Sequence, residues 1–226
     1  MPDKITRLRN TVDHAKAQVI FAHGAGADMH HDFMEQITLG LNNGGINVLR
    51  FNFPYMDKRI ELGKRFPPDR MPKLLECYQL VVNDYLMSDK YNLSNNKRLP
   101  LFLGGKSMGS RVATSLAGIQ ANTDVQGVFC LGYPFHPSNK PEKLRLAPLQ
   151  ETLKPVLIVQ GQRDSLGSEL DIANYNLPEL CQCLFLTDGD HSFKPRVKSG
   201  FTQQQHIDSA VKAIIDFILT TLELRY

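Results

Sequence analysis

The sequence predicts an α/β architecture: a mostly parallel central sheet of about six to seven strands, helices on both faces, and a minimal lid or none. Two observations carry this. Short apolar, β-branched runs alternate with longer segments of helical periodicity along the whole chain, the pattern of strand–helix–strand units in a covered parallel sheet. The glycine- and histidine-rich turns fall at the ends of those runs, where such sheets gather their ligands. The 226 residues, 42% hydrophobic and 22% charged, fit one core and are read as a single domain over residues 1–226.

Taken in order, Ala17–Ala22 (AQVIFA) reads as a buried strand ending at His23-Gly24. His31–Leu41 has apolar residues at helical spacing and stops at Asn42-Asn43-Gly44-Gly45. Ile46–Phe53 is a second strand, Arg59–Pro72 a loop rich in proline and charge, and Lys73–Met87 an amphipathic helix. Leu99–Gly104 is the third strand and Met108–Ile119 the helix after it. Val125–Leu131 is the fourth strand, Tyr133–Pro148 a Pro/Lys-rich excursion, Pro155–Gln160 the fifth strand and Cys181–Leu186 the sixth, and Ile207–Leu222 closes the chain as a helix.

Net charge is +3, with no long basic block, which argues against a nucleic-acid partner. No apolar run approaches the ~18 residues that span a bilayer, and the polar N-terminus lacks an apolar signal core, so no membrane partner and a cytoplasmic location are expected. The four cysteines then read as reduced thiols. Cys181-x-Cys183 has neither zinc nor redox spacing. No metal and no organic cofactor is expected, and nothing specifies an oligomeric state.

The stretch Phe102–Ser110 (FLGGKSMGS) admits two chemistries. A phosphate-binding loop ending in Gly105-Lys106-Ser107 needs glycine at position 100, where proline stands, so the backbone cradle cannot form. The alternative, strand then G-x-S-x-G then helix, presents Ser107 on a tight turn at a helix N-terminus. Its glycines, Gly105 and Gly109, flank a strained residue with no room for side chains beside it. Alone this motif is weak. What raises it is the order of partners, Ser then Asp then His, each at the end of a different strand. Asp164 follows the fifth strand and His191 the sixth, where lone residues would read as a turn former and a loop histidine. Asp188 and Asp190 are alternatives for the acid, and His206 for the base. The loop His23-Gly24-Ala25-Gly26 should supply one oxyanion donor, Ala25 with Gly26 second, and Met108 the other.

The segments FAHGAGADMHHDFM, RFNFPYM, LGGKSMGSR, LGYPFHP and IVQGQRD…DGDHSF resemble, in order, α/β-hydrolase-fold proteins related to dienelactone hydrolase. More narrowly they resemble uncharacterised bacterial hydrolases, testis-expressed hydrolase-like proteins and a subunit of a nuclear histone-acetylation complex. The resemblance spans roughly residues 15–220 and implies a compact hydrolase core with a Ser107-Asp164-His191 triad. Dienelactone enzymes proper use a cysteine nucleophile, so their substrate does not carry over to a chain with serine there. The expectation is a serine hydrolase of a small or medium acyl ester or thioester. The alternatives are a non-catalytic interaction module on the same fold and an acyltransferase. Tyr55, Phe135 and His136 are candidates for the substrate pocket, and Lys106 and Arg111, flanking the serine, for attracting an anionic substrate.

Overall fold

The computed structural model describes residues 5–88, 98–118 and 124–224. Seven strands form one sheet in the order β1-β3-β2-β4-β5-β6-β7: β1 (Arg7–Asn10), β2 (Ala17–Ala22), β3 (Ile46–Phe51), β4 (Leu101–Lys106), β5 (Val125–Leu131), β6 (Val156–Gly161) and β7 (Cys181–Leu186). All neighbours are parallel except β1, which pairs antiparallel with β3. The helices are α1 (Asp32–Asn43), α2 (Pro54–Leu62), α3 (Met71–Met87), α4 (Met108–Ala117), the short α5 (Ala147–Gln150) and α6 (Glu169–Ile172), and α7 (Gln203–Glu223).

The core has two layers. On one face α1 and α7 pack Ile37, Leu41, Ile214 and Ile218 onto Val19, Phe21, Phe129 and Val159. On the other, α3 and α4 pack Tyr78, Val82, Val112 and Leu116 onto Ile20, Leu103, Val128 and Ile158. Successive strand residues serve opposite faces, so strands buried on both sides read as continuous apolar runs. Among the described residues only the short α5 and α6 interrupt the connections after β5 and β6, and no lid covers the carboxyl ends of the strands. No described helix is long and apolar enough to cross a membrane.

Three parts of the architecture differ from the sequence reading. Strand β1, RLRN, is polar and partly exposed; a short charged strand at a sheet edge carries no hydrophobic period to detect. The segment read as a loop from Arg59 to Pro72 holds the last turns of α2 and the start of α3. Helix α2 buries only Tyr55 and Met56, too few for a stripe, yet its ends are marked by Pro54 in the first turn and Gly63 in the left-handed conformation. Strand β4 begins at Leu101 and runs on through Gly105 to Lys106, so the turn is tighter than a strand ending at Gly104 allows. The expected helix end at Ile119 lies outside the described residues.

Candidate active site

Ser107 joins β4 to α4 with φ 52° and ψ −115°, a conformation that disfavours any residue with a Cβ. Sterics impose it. A Cβ on Gly105 would lie 2.1 Å from the Gly109 carbonyl carbon, and one on Gly109 would lie 2.5 Å from the Ala22 carbonyl oxygen. The turn is anchored by the Ser107 amide donating to Leu131 O at 3.0 Å.

The three residues selected from the sequence meet here. Ser107 Oγ lies 2.9 Å from His191 Nε2, and His191 Nδ1 lies 2.7 Å from Asp164 Oδ2. The carboxylate accepts only, so Nδ1 carries the proton toward it and Nε2 is left to accept from the serine hydroxyl. Asp164 is 1% exposed, and its oxygens also receive the Leu166 amide at 2.8 Å and Gln160 Nε2 at 2.9 Å. Gln160, buried at the end of β6, was not selected from the sequence; a polar side chain closing the run PVLIVQ is the signal that marks it. Among the described residues its Oε1 has no partner, while Nε2 also reaches Tyr133 O and Gly167 O.

The loop after β2 faces this trio. His23 is buried and bridges two backbone groups: the Phe53 amide donates to Nε2 at 3.0 Å, and Nδ1 donates to Gly24 O at 2.7 Å. Burial pushes its pKa down to about 4, so the ring is neutral and one tautomer is fixed. Tyr55 Oη donates to both Gly24 O and Ala25 O at 3.2 Å, and Arg59 donates to Ala25 O at 3.1 Å. A trans peptide points its C=O and N–H in opposite directions. Gripping Gly24 O from behind therefore turns the Ala25 N–H toward the cleft that Ala25 lines. Among the described residues that amide donates no backbone hydrogen bond. Met108, first residue of α4, offers a second amide without a helical acceptor.

A model of the family described as alpha/beta hydrolase domain matches residues 15–219. The chain belongs to this family. Among solved structures, a dienelactone hydrolase from Anabaena variabilis superposes with a TM-score of 0.71 at 16% identity, covering 96% of this chain and 91% of that one. Est1E from Butyrivibrio proteoclasticus gives 0.72 at 14% identity, with 97% and 95% covered. A Xanthomonas campestris α/β serine hydrolase without a lid gives 0.64 at 16%, with 92% and 87% covered. At these identities the likeness is one of fold. The narrower kinship with testis-expressed and histone-acetylation proteins remains a resemblance of motifs.

The cleft of this alpha/beta hydrolase encloses about 380 Å³, bounded by Ala25, Phe33 and Met34 on its apolar side and by His31, Ser192 and Gln203 on its polar side. A larger groove of about 670 Å³, between β7 and α7, contains none of the trio. The three pocket aromatics expected from the sequence lie elsewhere. Tyr55 stands behind the β2 loop, 3% exposed, because Pro54 starts α2 and turns the ring inward. Phe135 is fully buried against Tyr133 and Tyr175. His136 is buried with Nδ1 on Pro137 O. Lys106 closes β4, and its ammonium reaches a backbone carbonyl. Arg111 is held on α4 beside Tyr133, its guanidinium pKa lowered by burial.

The alternative residues are occupied with structure. Asp188 is ion-paired with Arg196 and Arg163, which holds its carboxyl well below the usual range. Asp190 accepts from the Ser192 and Lys194 amides. His206 Nδ1 bonds to Phe193 O. No cluster of three or more His, Cys, Asp or Glu able to hold a metal occurs among the described residues.

Proposed function

We propose that the protein is a serine hydrolase that cleaves small or medium acyl esters or thioesters, with Ser107 as nucleophile, His191 as general base and acid, and Asp164 as the group that orients the imidazole. The observation that carries this is the continuous hydrogen-bonded line Ser107–His191–Asp164, at 2.9 and 2.7 Å, with the serine on a strained turn at a helix N-terminus.

Ser107 Oγ attacks the acyl carbonyl as its proton passes to His191 Nε2, and the imidazolium is stabilised by the Asp164 carboxylate. The oxygen of the tetrahedral intermediate takes the Ala25 and Met108 amides. Collapse breaks the bond to the leaving alcohol or thiol, which receives the proton from His191. Water then attacks the acyl-enzyme with the imidazole again as base, releasing the acid and restoring Ser107. A cleft of about 380 Å³ lies at the small end of ligand pockets, roughly 300–1,000 Å³, which supports a short acyl group.

A panel of 4-nitrophenyl esters, C2 to C12, tests the reading, together with a fluorophosphonate probe located by peptide mass spectrometry. The expectation is turnover favouring short chains, probe on Ser107, and a loss of about 10⁴-fold or more in Ser107→Ala. Equal rates in both proteins, or no ester turnover with Ser107 left unlabelled, rejects it.

A further inference from the structure

Lys106 immediately precedes the nucleophile and is the last residue of β4. Its side chain is half-buried. The ammonium donates to the His191 backbone carbonyl at 2.6 Å, across 85 residues of sequence, and lies between the rings of Phe33 and Phe193, 5.5 and 5.6 Å from their centroids. The fit is close: a Cβ on Gly132 would come within 2.8 Å of Nζ, 3.1 Å of His191 O and 3.2 Å of His191 Nδ1. No salt bridge from Lys106 occurs among the described residues.

We propose that Lys106 is a positioning residue that sets the spacing between nucleophile and base by tying the strand that ends in Ser107 to the backbone of the loop that carries His191. The proposal rests on the serine-hydrolase reading. Two geometric facts support it over a role in binding an anionic substrate. Although Lys106 lines the cleft, its ammonium is already engaged by the His191 carbonyl, and it is flanked by two aromatic rings that favour a cation. Burial pushes its pKa down to about 8, opposed by the nearby Asp164 and Asp190 carboxylates. The ammonium is therefore the main form at neutral pH. His23 and His31, which line the same cleft, are the other titratable groups facing it, with His191 itself.

A cation here does two things. It holds the His191 main chain, and it opposes a second positive charge on the imidazole. Its removal should lower turnover and make the site easier to protonate.

The test compares wild type, Ser107→Ala, Lys106→Met and Lys106→Ala on 4-nitrophenyl acetate from pH 5.5 to 9, with unfolding midpoints for each. Lys106→Met is expected to lose about 10- to 100-fold in kcat, as small misplacements of reacting groups do, with KM nearly unchanged and the acid limb of kcat/KM moved to higher pH. Ethylammonium chloride should restore part of the Lys106→Ala activity where sodium chloride does not. Wild-type kcat and an unmoved acid limb in Lys106→Met, with Ser107→Ala inactive, overturn the role of Lys106 alone. A loss of activity with no movement of the limb and no rescue by ethylammonium overturns it too, since a merely structural lysine behaves that way. A fully active Ser107→Ala overturns the reading beneath it.

Discussion

The two halves of the candidate site are held by different forces. Around Ser107 the constraint is space: Gly105 and Gly109 let β2, β4 and α4 approach to distances at which a single added carbon would collide with backbone. Around Asp164 and His191 the constraint is polar. Gln160, the Leu166 amide, Lys106 and the Asp188–Arg196 pair each hold one atom of the acid–base loops. A steric constraint tolerates one residue type and fails abruptly. A polar network distributes the load and fails by degrees.

Breaking the steric half should have the largest effect. In Gly109→Ala the new Cβ meets Ala22 O at 2.5 Å and His23 O at 2.7 Å, and neither backbone can give way without moving β2. We expect a stability loss of about 3 kcal/mol or more, the upper range for overpacking, and an esterase activity too low to measure. Urea unfolding with a wild-type midpoint would show that the contact is not a constraint.

Next comes the loop after β2, which shares both characters. Tyr55→Phe removes the hydroxyl that grips Gly24 O and Ala25 O but keeps the ring. His23 and Arg59 continue to hold those carbonyls, so the fold should persist while the Ala25 N–H loses its aim. A fall of about 10-fold in kcat is expected, less than the 10²–10³ of removing an oxyanion donor outright. Unchanged kcat would mean that the loop is positioned without Tyr55.

This contrast also explains what the sequence could reveal. The elbow was legible because a steric demand writes itself as glycine at two fixed offsets from Ser107. The parallel sheet was legible because doubly buried strands must be apolar throughout. Asp164 and His191 could be chosen because the strand order places each at a carboxyl end. Gln160, Lys106 and Arg59 were not assigned their contacts: Lys106 and Arg59 reach backbone carbonyls dozens of residues away, Gln160 reaches a carboxylate four residues on across a turn, and a polar side chain carries no mark of which acceptor it will meet. Tyr55, Phe135 and His136 were placed in the pocket for a related reason. Aromatic residues after a strand suit a binding site and a core equally well, and here packing took them. Strand β1 lies at the opposite limit, a four-residue edge strand with three polar side chains and one leucine, too short to show a period.

The pH dependence of stability sharpens the comparison. His23 is neutral in the folded protein down to about pH 4 but titrates near 6.5 when unfolded. Between these values the unfolded chain binds the extra proton, so stability rises with pH across that window and is lost as pH falls through it. Fully expressed, a shift of this size corresponds to about 3 kcal/mol. His23→Asn, whose amide can still donate to Gly24 O, should be less stable at pH 7 yet show a flatter dependence of its unfolding midpoint between pH 4 and 6.5. An equally steep dependence in the variant would assign the acid sensitivity to other groups.

The smallest effect belongs to the rim of the polar half. Asp188 sits at φ 56° and is clasped by Arg196 and Arg163, with its carboxyl held ionised well below its ordinary range, chiefly by hydrogen bonds from Arg196. A depressed carboxyl contributes stability above its unfolded value, about 3.9, and that contribution disappears as pH drops through the folded value. At neutral pH the pair is therefore fully formed, but Arg196 is half exposed, where solvent and salt weaken such pairs. Arg163 and the Asp190 turn remain to hold the loop when Arg196 is removed. Arg196→Ala should thus lower the melting temperature by only about 2 °C and change kcat/KM by less than about threefold, with both differences shrinking in 0.5 M salt. A loss comparable to that of Tyr55→Phe would mean that the His191 loop depends on one exposed ion pair, and that the polar half fails as abruptly as the steric one.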